Sequence, residues 1–156
     1  MGSARYLGID YGEKRIGLSW GDELGLAFPL EAAHQETLEE RWQAIGAQIA
    51  ARQVTALILG MPYNMDGSIG FKAREVEAFA GELRAKFGLP VHLVDERLSS
   101  SEARKLLGKR LGRDRETRQS GLLDSAAATL ILQDYLDQHH GAGFPEEWDG
   151  DVSGES

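Results

Sequence analysis

Gly8-Ile9-Asp10-Tyr11-Gly12 is the stretch on which the reading of this chain turns. It closes an apolar run over residues 5–10 whose last residue is a carboxylate. A turn at Gly12-Glu13-Lys14 then returns the chain into a second run over 15–20. Both runs have the length and the bounding turn residues of short strands. An acid at the C-terminal end of a buried strand is costly unless something cationic compensates it. Asp10 is therefore the first residue to be explained by chemistry rather than by folding.

Outward from this hairpin, a third strand is expected over 25–31, giving a three-stranded start. Thr37 and Glu40 form a capping box, after which Leu38, Trp42, Ile45 and Ile49 recur at helical spacing. Ala56-Leu57-Ile58-Leu59 is apolar throughout and suits a central strand buried on both faces, stopped by Gly60 and Pro62. Val76, Phe79, Ala80, Leu83 and Phe87 make the stripe of a second helix, ended by Gly88 and Pro90. A further buried strand covers 91–94. Ser99 and Glu102 form a second capping box that opens a helix through about residue 109, and the polar stretch 112–119 reads as a mobile loop. The last helix is expected over 120–139, with Ser125-Ala126-Ala127-Ala128 offering little bulk, so that its backbone can approach the sheet. The order β-β-β-α-β-α-β-α-α is that of a mixed α/β domain with a hairpin-built edge. In it the first strand is central, with the two later strands beside it on one side.

Two more segments carry acids in the same kind of setting as Asp10. Val94-Asp95-Glu96-Arg97 ends the last strand, and Leu123-Asp124-Ser125-Ala126-Ala127 lies in the small-residue helix. Strands two apart lie about 10 Å apart, so an Asp and a longer Glu reaching inward can share one or two metal ions. The last helix, crossing the strand ends, adds Asp124. Singly, each acid reads as a cap or a surface ion pair; together they read as a site for Mg²⁺ or Mn²⁺, whose natural ligands are carboxylates. Two-metal phosphodiester hydrolysis is the chemistry such a cluster supports. Asp95 and Glu96 are adjacent and point to opposite faces of an extended strand. Glu96 is preferred for its reach, with Asp95 behind it.

Around the acids, Lys14, Arg15 and Arg97 are candidates to hold a backbone phosphate, Arg97 alternatively pairing with the cluster. Asn64 either orients a phosphate or water or serves the turn it sits in. The four histidines fit no metal spacing with the acids. His139 and His140 stand at a helix C-terminus, which favours cations. Ser99-Ser100-Ser101 has no His or Lys base attached and is explained as an N-cap run.

Composition sets the frame. The 156 residues suit one domain, with 42% apolar and 27% charged side chains. No apolar stretch is long enough to span a bilayer and no signal-peptide pattern opens the chain, so a cytoplasmic location and no membrane partner are expected. The absence of cysteine excludes disulfides, thiolate zinc sites and cysteine nucleophiles. A net charge of −8 opposes nucleic-acid binding in general, but it is unevenly spread. Residues 141–156 hold five acids and no Lys or Arg, which leaves −3 on residues 1–140. Residues 97–118 hold eight basic and three acidic side chains, as either a solvated surface or a phosphate-binding one. The domain is accordingly placed at 1–140, followed by an acidic tail at 141–156 too polar to fold alone.

Four segments together resemble the YqgF/RuvX family of RNase H-like nucleases. They are Gly8-Ile9-Asp10-Tyr11-Gly12-Glu13-Lys14-Arg15-Ile16-Gly17, Gly60-Met61-Pro62-Tyr63-Asn64-Met65-Asp66-Gly67, Asp95-Glu96-Arg97-Leu98-Ser99 and Asp124-Ser125-Ala126-Ala127-Ala128. The resemblance spans residues 5–138 and implies an RNase H-like fold, with a mixed five-stranded sheet flanked by helices. It further implies that Asp10, Glu96 and Asp124 are the catalytic, metal-binding acids. The activity implied is pre-16S rRNA processing on structured RNA, or Holliday-junction resolution on branched DNA. The protein would act as monomer or homodimer, junction cutting requiring the dimer. Such relatives carry a lysine-rich stretch before the last acid. Here residues 113–120 use arginine instead, diluted by Asp114 and Glu116. Two other readings stay open. An ATPase or sugar kinase of the actin-like superfamily uses a similar strand turn but closes two such domains around a nucleotide. An inactive nucleic-acid or transcription-factor-binding module would bind RNA without turnover.

Overall fold

The computed structural model describes residues 4–96 and 125–139. In chain order the elements are β1 (Arg5–Asp10), β2 (Arg15–Asp22), β3 (Ala27–His34), α1 (Leu38–Arg52), β4 (Ala56–Met61), α2 (Phe71–Phe87), β5 (Val91–Asp95) and α3 (Ala126–His139). The strands form one sheet in the order β3-β2-β1-β4-β5. β1, β2 and β3 are antiparallel neighbours, while β4 and β5 run parallel to β1 on its other side. The sheet is therefore mixed and five-stranded, with β1 central as expected.

Strand alternation sorts the side chains onto two faces. Leu7, Ile9, Leu57, Leu59 and Met61 point to the face covered by α1 and α2, where Ile45, Val76, Phe79 and Leu83 complete the main core. Tyr6, Ile58 and Val94 point to the face covered by α3, against Ile131, Leu132 and Leu136. Thr37 caps α1, its hydroxyl accepting from the Glu40 amide while the Glu40 carboxylate accepts from the Thr37 amide, so the expected capping box is present. α2 closes at Gly88, in the left-handed conformation, also as expected.

Several boundaries differ from the sequence reading. β3 starts at Ala27 rather than 25, because residues 22–25 are a turn. The Asp22 carboxylate accepts from the Leu24 amide, and the Asp22 carbonyl from the Gly25 amide. β3 then continues to His34, and its register with β2 shifts between Ile16 and Leu18, so that one extra residue is accommodated on β3. β2 runs two residues past Trp20, and α2 begins at Phe71, a full turn before its apolar stripe. β4 does not stop at Gly60 but passes through it to Met61. The helix and loop expected over 99–119, the first turn expected for the last helix, and the acidic tail lie outside the described residues. No helix among the described residues is long and apolar enough to cross a membrane.

Candidate active site

Asp10 ends β1, opposite Gly17 of β2. With Ile9 level with Leu59, Asp10 stands beside Gly60 of β4, and Gly60 in turn beside Val94 of β5. Asp10 shares its face with Tyr6 and Gly8, the face under α3. Glu96 follows the last residue of β5 and folds back over the sheet on that same side. A Cβ built on Gly60 would lie 2.7 Å from Glu96 Oε2 and would also collide with Ile131 of α3. The bare backbone of Gly60 is thus the floor on which the Glu96 carboxylate rests, one strand away from Asp10. Strands lie about 4.8 Å apart, so this inward lean closes about half of the separation between the two outer strands. Asp95, paired with Met61, falls on the opposite face by alternation.

α3 is held close to the sheet at its N-terminal end. The Leu18 amide, where the β2–β3 register shifts, donates to Ser125 Oγ at 3.0 Å, and Ser19 Oγ donates to the Ala128 carbonyl at 2.7 Å. Ser125, Ser19 and Ala128 are fully buried. Leu18 pairs with Ile9, so the residue that follows Asp124 in the chain is anchored one position from Asp10 in the sheet. Asp124 itself and Arg97 lie outside the described residues.

Two oxygen-donor side chains on one face, one of them resting over the bare backbone of a glycine, suit a hard divalent cation. Among the described residues no group of three or more His, Asp or Glu side chains is close enough to hold a metal ion. The donor set described here is the Asp10–Glu96 pair.

The remaining candidates divide. Lys14 and Arg15 are exposed on the β1–β2 turn, and Arg15 opens β2 opposite His34. With Glu13, His34, Gln35 and Glu36 they line a surface hollow beside that turn. Asn64 serves its own loop: its side-chain amide donates to Ser68 Oγ at 3.0 Å and its carbonyl accepts from the Gly67 amide. His139 stacks on Tyr135 with centroids 4.0 Å apart, its ring nitrogen 3.0 Å from the Tyr135 carbonyl one turn back.

Three contributors were not read from the sequence. Gln35 donates from its side chain to the carbonyls of Gly12 and Glu13, and its amide donates to the Lys14 carbonyl, so one residue clamps the turn that follows Asp10. A lone glutamine between a strand and a helix gives no signal of this. Arg41 is buried on α1, 3.6 Å from Glu82, donating to Tyr11 Oη at 3.5 Å and lying 5.0 to 5.5 Å from the Phe79, Trp42 and Tyr11 ring centroids. Such cation–π contacts fix Tyr11, the neighbour of Asp10. Gly60 was read as a strand stop. An isolated glycine inside an apolar strand run is in fact the signature of a close approach, here that of Glu96 and Ile131.

Residues 4–138 match the model of a family described as RuvX, Holliday junction resolvase. A protein of Opitutus terrae named "Putative pre-16S rRNA nuclease" is 51% identical over 142 residues, covering 90% of this chain and 97% of that protein. One of the same name from Picosynechococcus is 44% identical over 140 residues, covering 89% and 96%. Among solved structures, the RuvC protein of Thermus thermophilus in complex with Holliday junction substrate superimposes with a TM-score of 0.53 at 22% identity, over 88% of this chain and 96% of that one. At that identity the likeness is one of fold, and the fold is RNase H-like.

Proposed function

Because the chain belongs to the RuvX family, we propose that it is a divalent-metal-dependent endonuclease that hydrolyses phosphodiester bonds in structured RNA. Its task is processing of the pre-16S rRNA 5′ end, in the cytoplasm, during ribosome biogenesis. The observation that carries the reading is the Glu96 carboxylate resting over Gly60 on the face that bears Asp10. A strand that keeps glycine where Ile58 and Ala56 precede it on the same face gives up packing, and what occupies the space is a carboxylate.

Asp10, Glu96 and Asp124 would hold Mg²⁺ or Mn²⁺. When bound, such an ion supplies Lewis-acid stabilisation of the charge that develops on the phosphate. The chain's own residues do the rest. Asp10 is paired with Gly17 of β2 and follows Ile9, which is paired with Leu59 of β4, so the carboxylate position is set before substrate arrives. The Gln35 clamp holds the turn that presents Lys14 and Arg15 to a backbone phosphate next to Asp10. The Ser125 anchor holds the start of α3 against β2, and Asp124, the residue before Ser125 in the chain, would complete the acids. The catalytic unit is the domain at 1–140. A single copy suffices to cut one strand.

The family description favours one further reading, resolution of four-way DNA junctions, which needs two copies to cut two strands. Purified protein incubated with structured RNA carrying the 16S 5′ flank and with a four-way DNA junction, each with Mg²⁺, Mn²⁺ or EDTA, separates the two. Cleavage of the RNA that EDTA abolishes is expected. Asp10→Asn, nearly isosteric but unable to hold the ion, should be inactive and folded, with Glu96→Gln and Asp124→Asn severely impaired. Wild-type rates in all three variants would sink the three-acid site.

A further inference from the structure

The loop between β4 and α2, residues 62–70, leaves the same end of the sheet that carries Asp10 and Glu96, from the strand between theirs. The loop and the first residue of α2 expose large apolar side chains. Met65 is 88% exposed, Phe71 80% and Ile69 41%. Three large apolar residues within seven positions are exposed to this degree. Phe71 is the first residue of α2, a position that an aromatic ring does not improve.

The loop is nonetheless firmly built. The Asn64 carbonyl accepts from the Gly67 amide at 2.8 Å, the Asn64 amide donates to the Ser68 carbonyl at 3.0 Å, and Asp66 Oδ1 accepts from both the amide and the hydroxyl of Ser68 at 2.9 and 2.7 Å. Met65 is thereby presented at the apex of a braced turn. Apolar side chains held out on a rigid turn lose little freedom when something covers them. Lys72, which follows Phe71, places its ammonium 5.8 Å from the ring centroid of Tyr11, which is next to Asp10 in the chain but on the α1/α2 face, and 3.9 Å from the Glu75 carboxylate.

We propose that this loop is a stacking platform that receives one unstacked nucleobase of the substrate strand on Phe71, flanked by Met65, while Lys72 meets the adjoining phosphate. The inference rests on the nuclease reading and adds to it the part of the substrate the protein recognises. A nucleobase offers a flat π-face of the size of the exposed ring, and its phosphate is a charge that Lys72, the next residue in the chain, can meet. Because the loop leaves β4 at the sheet end where Asp10 stands, such a base would belong to the strand whose phosphate is cut. A fully paired helix keeps its bases stacked on one another and has none to offer, so the platform favours single-stranded loops, ends and junction crossings.

The full chain in EDTA, where no cleavage occurs, is titrated against a fluorescent single-stranded oligoribonucleotide, the same sequence as DNA, and blunt duplexes of each. Phe71→Ala should weaken binding of the unpaired strands about tenfold, within the range that loss of stacking on one base gives. Duplex binding should change less than twofold. Phe71→Trp should bind as wild type, and Phe71→Leu, which keeps apolar area without the ring, as poorly as Phe71→Ala. Loss with RNA alone identifies the base-bearing strand as RNA, and loss with both identifies the shared base. Unchanged affinity of Phe71→Ala for unpaired strands overturns the proposal and points to a protein partner for the patch, as does wild-type binding by Phe71→Leu. The nuclease reading fails separately: Phe71-dependent binding by a protein that never cuts with Mg²⁺ or Mn²⁺ leaves the platform standing and removes the enzyme. A wild type that binds no nucleic acid removes both.

Discussion

On the face under α1 and α2, β1 and β4 present Leu7, Ile9, Leu57, Leu59 and Met61, each with no exposed surface. On the face under α3 the same two strands present Gly8 and Gly60, and β2 adds Ser19 and Gly21. One face is filled by large side chains and the other is kept thin. A Cβ on Gly8 would lie 2.9 Å from the Ala128 carbonyl and 2.8 Å from Leu132 Cβ, so the helix backbone sits almost on the strand. Interiors are packed to crystal-like density, so a helix can come that close only where side chains have been removed. The thick face supplies the area taken from water. The thin face brings Glu96, and the start of α3, to the end of β1 where Asp10 stands.

The contrast is testable first on the thick side. Leu57→Ala deletes a buried side chain remote from the acids and should destabilise by about 2–5 kcal/mol in urea or thermal unfolding. Cleavage per folded molecule should stay at the wild-type level. Loss of cleavage without loss of stability would show that the thick face shapes the site after all. On the thin side, Gly8→Val forces side-chain atoms against the Ala128 carbonyl, a backbone group that cannot step aside. Overpacking of this kind costs about 1–3 kcal/mol. It should push α3 outward, break the Leu18–Ser125 hydrogen bond and take cleavage with it. Full activity in a destabilised Gly8→Val protein would separate the closeness of α3 from catalysis.

A third substitution sharpens the comparison within the thin face. The nearest atoms to a methyl on Gly60 belong to two side chains, Ile131 Cδ1 and Cγ1 and Glu96 Oε2, rather than to backbone, so Gly60→Ala should cost about 1 kcal/mol in stability. Its effect on function should be disproportionate, because the group displaced is the carboxylate. Cleavage should fall about 10–100-fold, the scale on which groups that orient metal ligands act, and more metal should be needed for half-maximal rate. An unaltered metal requirement would mean that Glu96 does not work from above Gly60.

How much of this was legible follows from the same two faces. Apolar runs ended by Gly, Pro and acids fixed the existence and order of the strands, because burial on both sides leaves a continuous hydrophobic signature. Asp10 and Glu96 stood out because charge is expensive at such strand ends. The register shift between β2 and β3 was not legible: Glu31, Ala32 and Ala33 alternate too weakly to show one extra residue, so the strand was ended early. Arg41 was hidden in an amphipathic helix, where a cation reads as solvent-facing until the aromatic rings of other elements are folded around it. Gly60 was visible but misread, since the residue that needs it lies 36 positions on and becomes its neighbour only when β5 pairs with β4. Asp124 and Arg97 were read from the acid and basic pattern of the chain, and their places lie outside the described residues.

The smallest effect lies at the opposite end of the thin face, where no acid of the site is found. Tyr6 at the middle of the sheet meets Tyr135 of α3 edge-on, with centroids 5.4 Å apart, and Tyr135 stacks between His92 and His139. Burial pushes the Tyr6 phenol above its usual value of 10.0, and the neighbouring Tyr135 and Glu23 push it the same way. A phenol whose proton is held more tightly folded than unfolded contributes stability that is complete below about pH 10 and is lost as pH rises through the raised folded value. The melting temperature of the wild type should therefore fall more steeply than that of Tyr6→Phe above pH 10, and the two should run parallel between pH 6 and 9. Tyr135, also raised by burial, keeps part of the slope in the variant. Cleavage at neutral pH should be the same in both proteins, because this end of α3 packs aromatic rings rather than carrying the backbone up to Asp10. A Tyr6→Phe protein that cut more slowly at pH 7 with its melting temperature unchanged would mean that the whole length of α3, and not only its anchored start at Ser125, positions the site.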